Sequence, residues 1–263
     1  MAKTAAYTVI APLADLQEDP VHQDHIGRRN SQLLLGEIFD VESRDGAYFK
    51  GKSRHDGYRG YVAVQNLIPR EGRARHFVEN NLTLVHHGPD IKSGVKMSLS
   101  FLSRLEIERG TLQNGFVRAS GLGWVPQQHI KPVSALSRER IDHVAVALRY
   151  LGAPYRYAGR SPLGIDCSGL TQNVLMRAGF KRIPRDADMQ EKSDHVGALV
   201  SKAQRGDIVF FKGHVGIMID NKNIISATEK YAGVVIETLD DMAARQGGIT
   251  AIRRPATKPT PQP

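Results

Sequence analysis

Tyr155-Arg-Tyr-Ala-Gly-Arg-Ser-Pro-Leu-Gly-Ile-Asp-Cys-Ser-Gly-Leu170 is the stretch on which the rest of the chain depends. It carries Cys167, the single cysteine of 263 residues. Before the cysteine lies a loop rich in glycine and proline. After it, Leu170, Val174 and Ala178 recur at helical spacing, and Gly179 is placed to cap the end. Cys167 is therefore expected as the first residue of a helix. The unpaired N–H groups and partial positive charge of a helix start favour thiolate, the nucleophilic form. A lone cysteine is more often a small buried apolar residue. The polar, small-residue turn Asp166-Cys-Ser-Gly169 is unlike a core site.

A nucleophile needs a base, and His214 is the best placed. It lies in Arg205-Gly-Asp-Ile-Val-Phe-Phe-Lys-Gly-His-Val-Gly-Ile-Met-Ile219, 47 residues downstream (214 − 167). Two β-type apolar runs, Ile208–Phe211 and Val215–Ile219, flank Lys212-Gly213, so His214 opens the second strand. The other histidines have weaker contexts: His22, His25, His86 and His87 fall in expected loops, and His143 on a helix. A thiol on a helix start with a histidine on a strand is the papain-type arrangement, in which the base takes the thiol proton and later protonates the leaving amine.

The set Gly152-Ala-Pro-Tyr155, Gly159-Arg160-Ser161, Asp166-Cys-Ser-Gly169, Pro184-Arg-Asp186, Arg205-Gly-Asp207 and Gly213-His-Val-Gly216 resembles the NlpC-type family of bacterial cell-wall cysteine peptidases. The resemblance spans about residues 137–255. It implies hydrolysis of the bond between γ-D-glutamate and a diamino acid in peptidoglycan stem peptides. It also implies a polar residue twelve positions after the base, commonly His, Asn or Gln, that orients the imidazole. Here that position is Ser226, a departure. Either Ser226 orients the ring weakly, Thr228 or a water does so, or activity is low. In relatives that recycle stem peptides, an acidic residue and an aromatic of an SH3-like domain, with the Asp before the nucleophile, hold the free amine of L-alanine. Asp166 matches directly; Glu37 and Tyr58 are the positional matches for the other two. Tyr155, Arg160 and Ser168 are expected to line the cleft. Ala187 stands where such relatives often have a serine.

Upstream, from Tyr7 to about Arg70, short apolar runs alternate with turn residues, including Asp45-Gly46 and Asp56-Gly57. Gly60-Tyr-Val62, Leu67 and Pro69 return as Gly123-Trp-Val125, Ile130 and Pro132, offset by 63 residues (123 − 60). That is a duplicated unit of domain size, too long for a solenoid repeat. Each copy resembles the bacterial SH3-like domains that often precede an NlpC-type domain; a small β-barrel with only a packing role is the alternative for the second. Further on, Ile141, Val144, Ala145, Leu148 and Leu151 form one stripe, with Ser137 as cap and Gly152 as stop. A short helix is expected over Asp188–His195. Strands are expected at Ile208–Phe211, Val215–Ile219, Asn223–Ser226, Val234–Thr238 and Thr250–Arg253.

The expected fold is all-β plus α+β: two small SH3-like β-barrels (residues 1–70 and 71–134), a papain-like α+β cysteine peptidase domain (135–255) and a proline-rich disordered tail (256–263). One cysteine excludes an internal disulfide framework. No apolar run reaches the roughly 20 residues of a membrane span. No secretory leader is evident at the start, which favours a cytoplasmic location unless a leader has been removed. The formal net charge of +9 is spread along the chain without a basic run, which argues against nucleic acid and leaves room for acidic substrates. No metal-ligand spacing appears, so no cofactor is expected. Two other function classes remain: a weakly active or inactive wall-binding protein, and a Cys-His amidase or transferase acting on another acyl group.

Overall fold

The computed structural model describes residues 4–20, 28–139 and 141–256. The loop expected around His22 and His25, and the tail from Thr257, lie outside the described residues. The chain divides into two compact units: Met1–Ala135 with Arg160–Pro162, and Leu136–Gly159 with Leu163–Pro263.

The first unit is SH3-like and built on two hydrophobic cores. One sheet runs in the order Arg29–Leu34, Leu13–Gln17, Arg59–Ala63, Tyr48–Ser53, Ile38–Asp45, Ala5–Val9, Leu67–Pro69. Its buried face is made by Val9, Leu16, Leu33, Phe39 and Val62, with Tyr58 packed at the margin. The Asp45-Gly46 pair makes the hairpin expected of it, with Gly46 at φ 53°. The second core gathers Val78, Val85, Leu99, Val117 and Val125 from two short sheets, and Leu35 packs into it. The 63-residue repeat has a structural counterpart. Gly60–Val62 and Gly123–Val125 each lie on a strand that leads through a one-turn 3-10 helix, Val64–Asn66 or Gln127–His129, into a final three-residue strand.

The second unit is α+β. Its antiparallel sheet runs Ala198–Leu199, Ala251–Arg254, Ile208–Phe211, His214–Met218, Asn223–Thr228, Gly233–Thr238. The Cys167–Arg177 helix is buried along almost its whole surface, not only along the Leu170/Val174 stripe. Its end follows expectation: Gly179 takes φ 85° and its N–H bonds the Met176 carbonyl. The single helix expected from Ser137 is instead two, Ala135–Arg138 and His143–Leu148. Asp142 caps the second through its carboxylate and the Val144 N–H, so the local cap overrides the longer apolar stripe. The helix expected at Asp188–His195 is shorter and earlier, Ala187–Glu191. A helix absent from the sequence reading spans Leu239–Gln246, capped by Thr238 and closed by Gly247.

Candidate active site

Asp166 is the N-cap of the cysteine helix: its Oδ1 accepts the Gly169 N–H at 2.7 Å. Cys167 is thereby fixed as the first helical residue, where its N–H has no intrahelical acceptor. Gly169 has to be glycine, because a Cβ there would stand 2.4 Å from the Gly159 carbonyl oxygen. The close approach seats the helix start beneath the loop that leads to it.

Cys167 is 9% exposed. The Val215 N–H reaches its sulfur from the neighbouring strand, and the Ser168 N–H from its own helix. The helix start was expected to favour thiolate; the net effect is the reverse. Burial and the Asp166 carboxylate push the thiol up to about 12, outweighing the two N–H groups and the Arg185 guanidinium. At neutral pH Cys167 is therefore a neutral thiol.

His214 precedes Val215 and opens its strand after the Lys212-Gly213 turn, with Gly213 at φ 72°. Burial, helped by the Arg245 charge, brings its imidazole down to about 4, so it is neutral at pH 7. Its Nε2 lies 2.9 Å from Ser226 Oγ, on the adjacent Asn223–Thr228 strand. Ser226 Oγ also lies 2.8 Å from the Val215 carbonyl oxygen. The hydroxyl has one proton. Donating it to that carbonyl leaves Oγ to accept from Nε2–H. A ring protonated at Nε2 has its lone pair on Nδ1, the form a base requires. Thr228 Oγ1 accepts the Lys230 N–H and bonds no histidine among the described residues.

Tyr155 is half-buried beside this site. It bridges Ile165, two residues before Cys167, and burial with the Cys167 and Asp166 charges raises its phenol. The remaining expected residues are differently employed. Ser168 is buried and its Oγ accepts from Arg185 at 2.8 Å. Both Asp166 oxygens accept from Arg185, at 3.0 and 2.7 Å. Arg160 does not line a cleft. It belongs to the first unit and is 0% exposed, because its guanidinium is bonded to both Glu37 oxygens, at 3.0 and 3.1 Å, and to the Gln32 carbonyl. Glu37 is therefore not an open carboxylate. Burial alone would raise it, but Arg160 and His55 hold it below the usual carboxylate range. Tyr58 follows Asp56, whose carboxylate accepts the Tyr58 N–H and sits 3.0 Å from His55 Nε2.

Sequence reasoning missed Arg185 and Gln190. Gln190 donates to the Ser168 and Pro184 carbonyls at 2.9 and 2.8 Å. The signal for Arg185 was present in Pro184-Arg-Asp186, which was read only as part of a resemblance. No group of described His, Cys, Asp or Glu residues could hold a metal ion. No described helix is long and apolar enough to cross a membrane.

A helix-start thiol on an antiparallel sheet, with a strand histidine oriented by the next strand, defines a papain-like cysteine peptidase. Comparison with known proteins gives the family. The NlpC/P60 family pattern matches residues 152–253, and the bacterial dipeptidyl-peptidase SH3 domain matches residues 22–67. A γ-D-glutamyl-L-lysine dipeptidyl-peptidase of Bacillus cereus is 35% identical over 80% of this chain and 70% of its own. Dipeptidyl-peptidase 6 of Lysinibacillus sphaericus is 28% identical over 89% and 91%. The crystal structure of an NlpC/P60 family protein from Bacillus cereus shares the fold, with a TM-score of 0.80 over 95% of this chain and 99% of that one at 21% identity. The chain belongs to the NlpC/P60 family of cell-wall cysteine peptidases.

Proposed function

We propose that the protein hydrolyses the γ-D-glutamyl–diamino acid bond of peptidoglycan stem peptides, with Cys167 as nucleophile, His214 as base and Ser226 as the residue that orients it. The observation that carries this is the Ser226–His214 bond on the strand whose Val215 N–H reaches the Cys167 sulfur. Nδ1 takes the thiol proton as sulfur attacks the γ-carbonyl carbon. The Cys167 N–H, which has no intrahelical acceptor at the helix start, donates to the developing oxyanion. The tetrahedral adduct collapses, C–N breaks, and Nδ1–H protonates the departing amine. Water then adds to the thioester with the same nitrogen as base, releasing the D-glutamyl product and the thiol. No step uses a metal.

The names of the relatives support removal of a dipeptide from a free N-terminus, here L-Ala-D-Glu. Such a protein acts in recycling or turnover of released peptides, and a cytoplasmic location fits that use. The test is mass spectrometry of L-Ala-γ-D-Glu-L-Lys and its diaminopimelate counterpart, each with a free and an N-acetylated alanine. The expected result is cleavage after D-Glu, at least about tenfold faster for the free amine, a difference of about 1.4 kcal/mol. Equal kcat/KM on both forms identifies an intact-wall endopeptidase instead. Cleavage of another bond identifies an amidase or transferase. Turnover by Cys167→Ala removes the nucleophile from the scheme.

A further inference from the structure

Cys167 is flanked by two side chains that converge on one cation. Arg185, 1% exposed, donates Nη1 to Asp166 Oδ1 at 3.0 Å and to Ser168 Oγ at 2.8 Å. Its Nη2 donates to Asp166 Oδ2 at 2.7 Å and to the Gly159 carbonyl at 3.4 Å. One guanidinium thus joins the residue before the cysteine, the residue after it, and the loop under which the helix starts. Gln190 Nε2 donates to the Ser168 carbonyl at 2.9 Å.

This arrangement answers an electrostatic difficulty. Asp166 is needed as the helix cap, yet it places a carboxylate next to a sulfur that must become an anion. In a site closed to water such a neighbour opposes thiolate formation. We propose that Arg185 is the positioning residue of the nucleophile, clamping the Asp166-Cys167-Ser168 turn and offsetting the Asp166 charge so that Cys167 can ionise. A lysine supplies the charge without the fork, so the two contributions are separable. The inference rests on Cys167 being the nucleophile.

The groups that act on the sulfur are Asp166 and Arg185, with Tyr155 across the loop, and the facing strand that His214 opens brings the Val215 N–H to it. The test uses the full chain, in which Cys167 is the only thiol, so iodoacetamide reports on it alone. Alkylation rates are measured from pH 7 to 10, with circular dichroism and thermal melts to confirm folding. Arg185→Met is expected to react about tenfold more slowly at pH 8, the effect of one pKa unit. Arg185→Lys should stay within about threefold of the parent. Asp166→Asn should react faster than the parent, and Asp166→Asn with Arg185→Met should return close to it. If Arg185→Met fails to fold, the Asp166→Asn protein compared with the double variant decides: removing the arginine must slow alkylation. The opposite signs matter, since mere loosening of the turn moves both single variants the same way. Parent-like alkylation of folded Arg185→Met, or slowing in both single variants, overturns the inference. These rates need no peptide substrate. Turnover by Cys167→Ala would fail the nucleophile assignment, whereas unaltered alkylation in Arg185→Met would fail only the role of the arginine.

Discussion

Ser226→Ala removes one oxygen from the centre of the site. Ser226 is 0% exposed and bonded to His214 Nε2 and the Val215 carbonyl, so the deletion leaves a donor and an acceptor facing each other without a bridge. Each buried group left unsatisfied costs about 1–3 kcal/mol, so a fall in unfolding free energy of about 2 kcal/mol or more is expected. The kinetic effect is smaller. The ring becomes imidazolium in the transition state, so the bond lost there is charge-assisted and exceeds the neutral bond of the ground state by about 1–1.5 kcal/mol, or roughly a 5- to 13-fold fall in kcat. KM should change less than about twofold, because the hydroxyl faces the imidazole and not the substrate. Thr228→Val should leave kcat unchanged, since its hydroxyl serves the following turn. The assay is product formation from L-Ala-γ-D-Glu-L-Lys by liquid chromatography and mass spectrometry, with urea unfolding alongside. Undiminished kcat in a folded Ser226→Ala protein, or a larger loss in Thr228→Val, would refute the assignment of the ring's partner.

The depressed imidazole predicts an acid dependence of stability. His214 binds its proton less readily folded, near pH 4, than in the unfolded chain, near 6.5, so stability is lost as pH falls from 6.5 to 4. The contribution is about 3 kcal/mol, and it should be missing from the unfolding free energy of His214→Asn over the same range. In the first unit, Arg160→Met strands the Glu37 carboxylate and should cost about 3–5 kcal/mol, while adding Glu37→Gln should restore most of it in urea denaturation. Gly169→Ala forces a methyl against the Gly159 carbonyl and should cost about 1–3 kcal/mol in a thermal melt.

The elements that sequence placed well are those whose neighbours are local. The Cys167 helix carries its own cap and stop, and the Ile208–Phe211 and His214–Met218 strands carry their own two-residue turn. The duplicated Gly-aromatic-Val signature was legible because each copy makes the same strand, turn and strand. Distant partners were not legible. Arg160 finds Glu37 across 123 positions and Arg185 finds Asp166 across 19, and no periodicity encodes either meeting. Ionisation was misjudged for a related reason: a helix start can be read from a pattern, but the burial that overrides it is a property of the packed whole. The Leu239–Gln246 helix was overlooked although Thr238 and Asp241 form a cap pair, Thr238 Oγ1 accepting the Asp241 N–H.

Three residues, Arg160–Pro162, belong to the first unit although the chain on both sides of them belongs to the second. The first unit is therefore discontinuous in sequence, and a cut after residue 135 does not release the whole of it. A fragment that begins at residue 136 retains every candidate catalytic side chain, yet it carries a guanidinium whose anion has been left behind. Exchange of the N-terminal unit among relatives is constrained accordingly. An incoming unit must supply an acid in the place of Glu37, or the recipient must give up its arginine, so these two positions should change together.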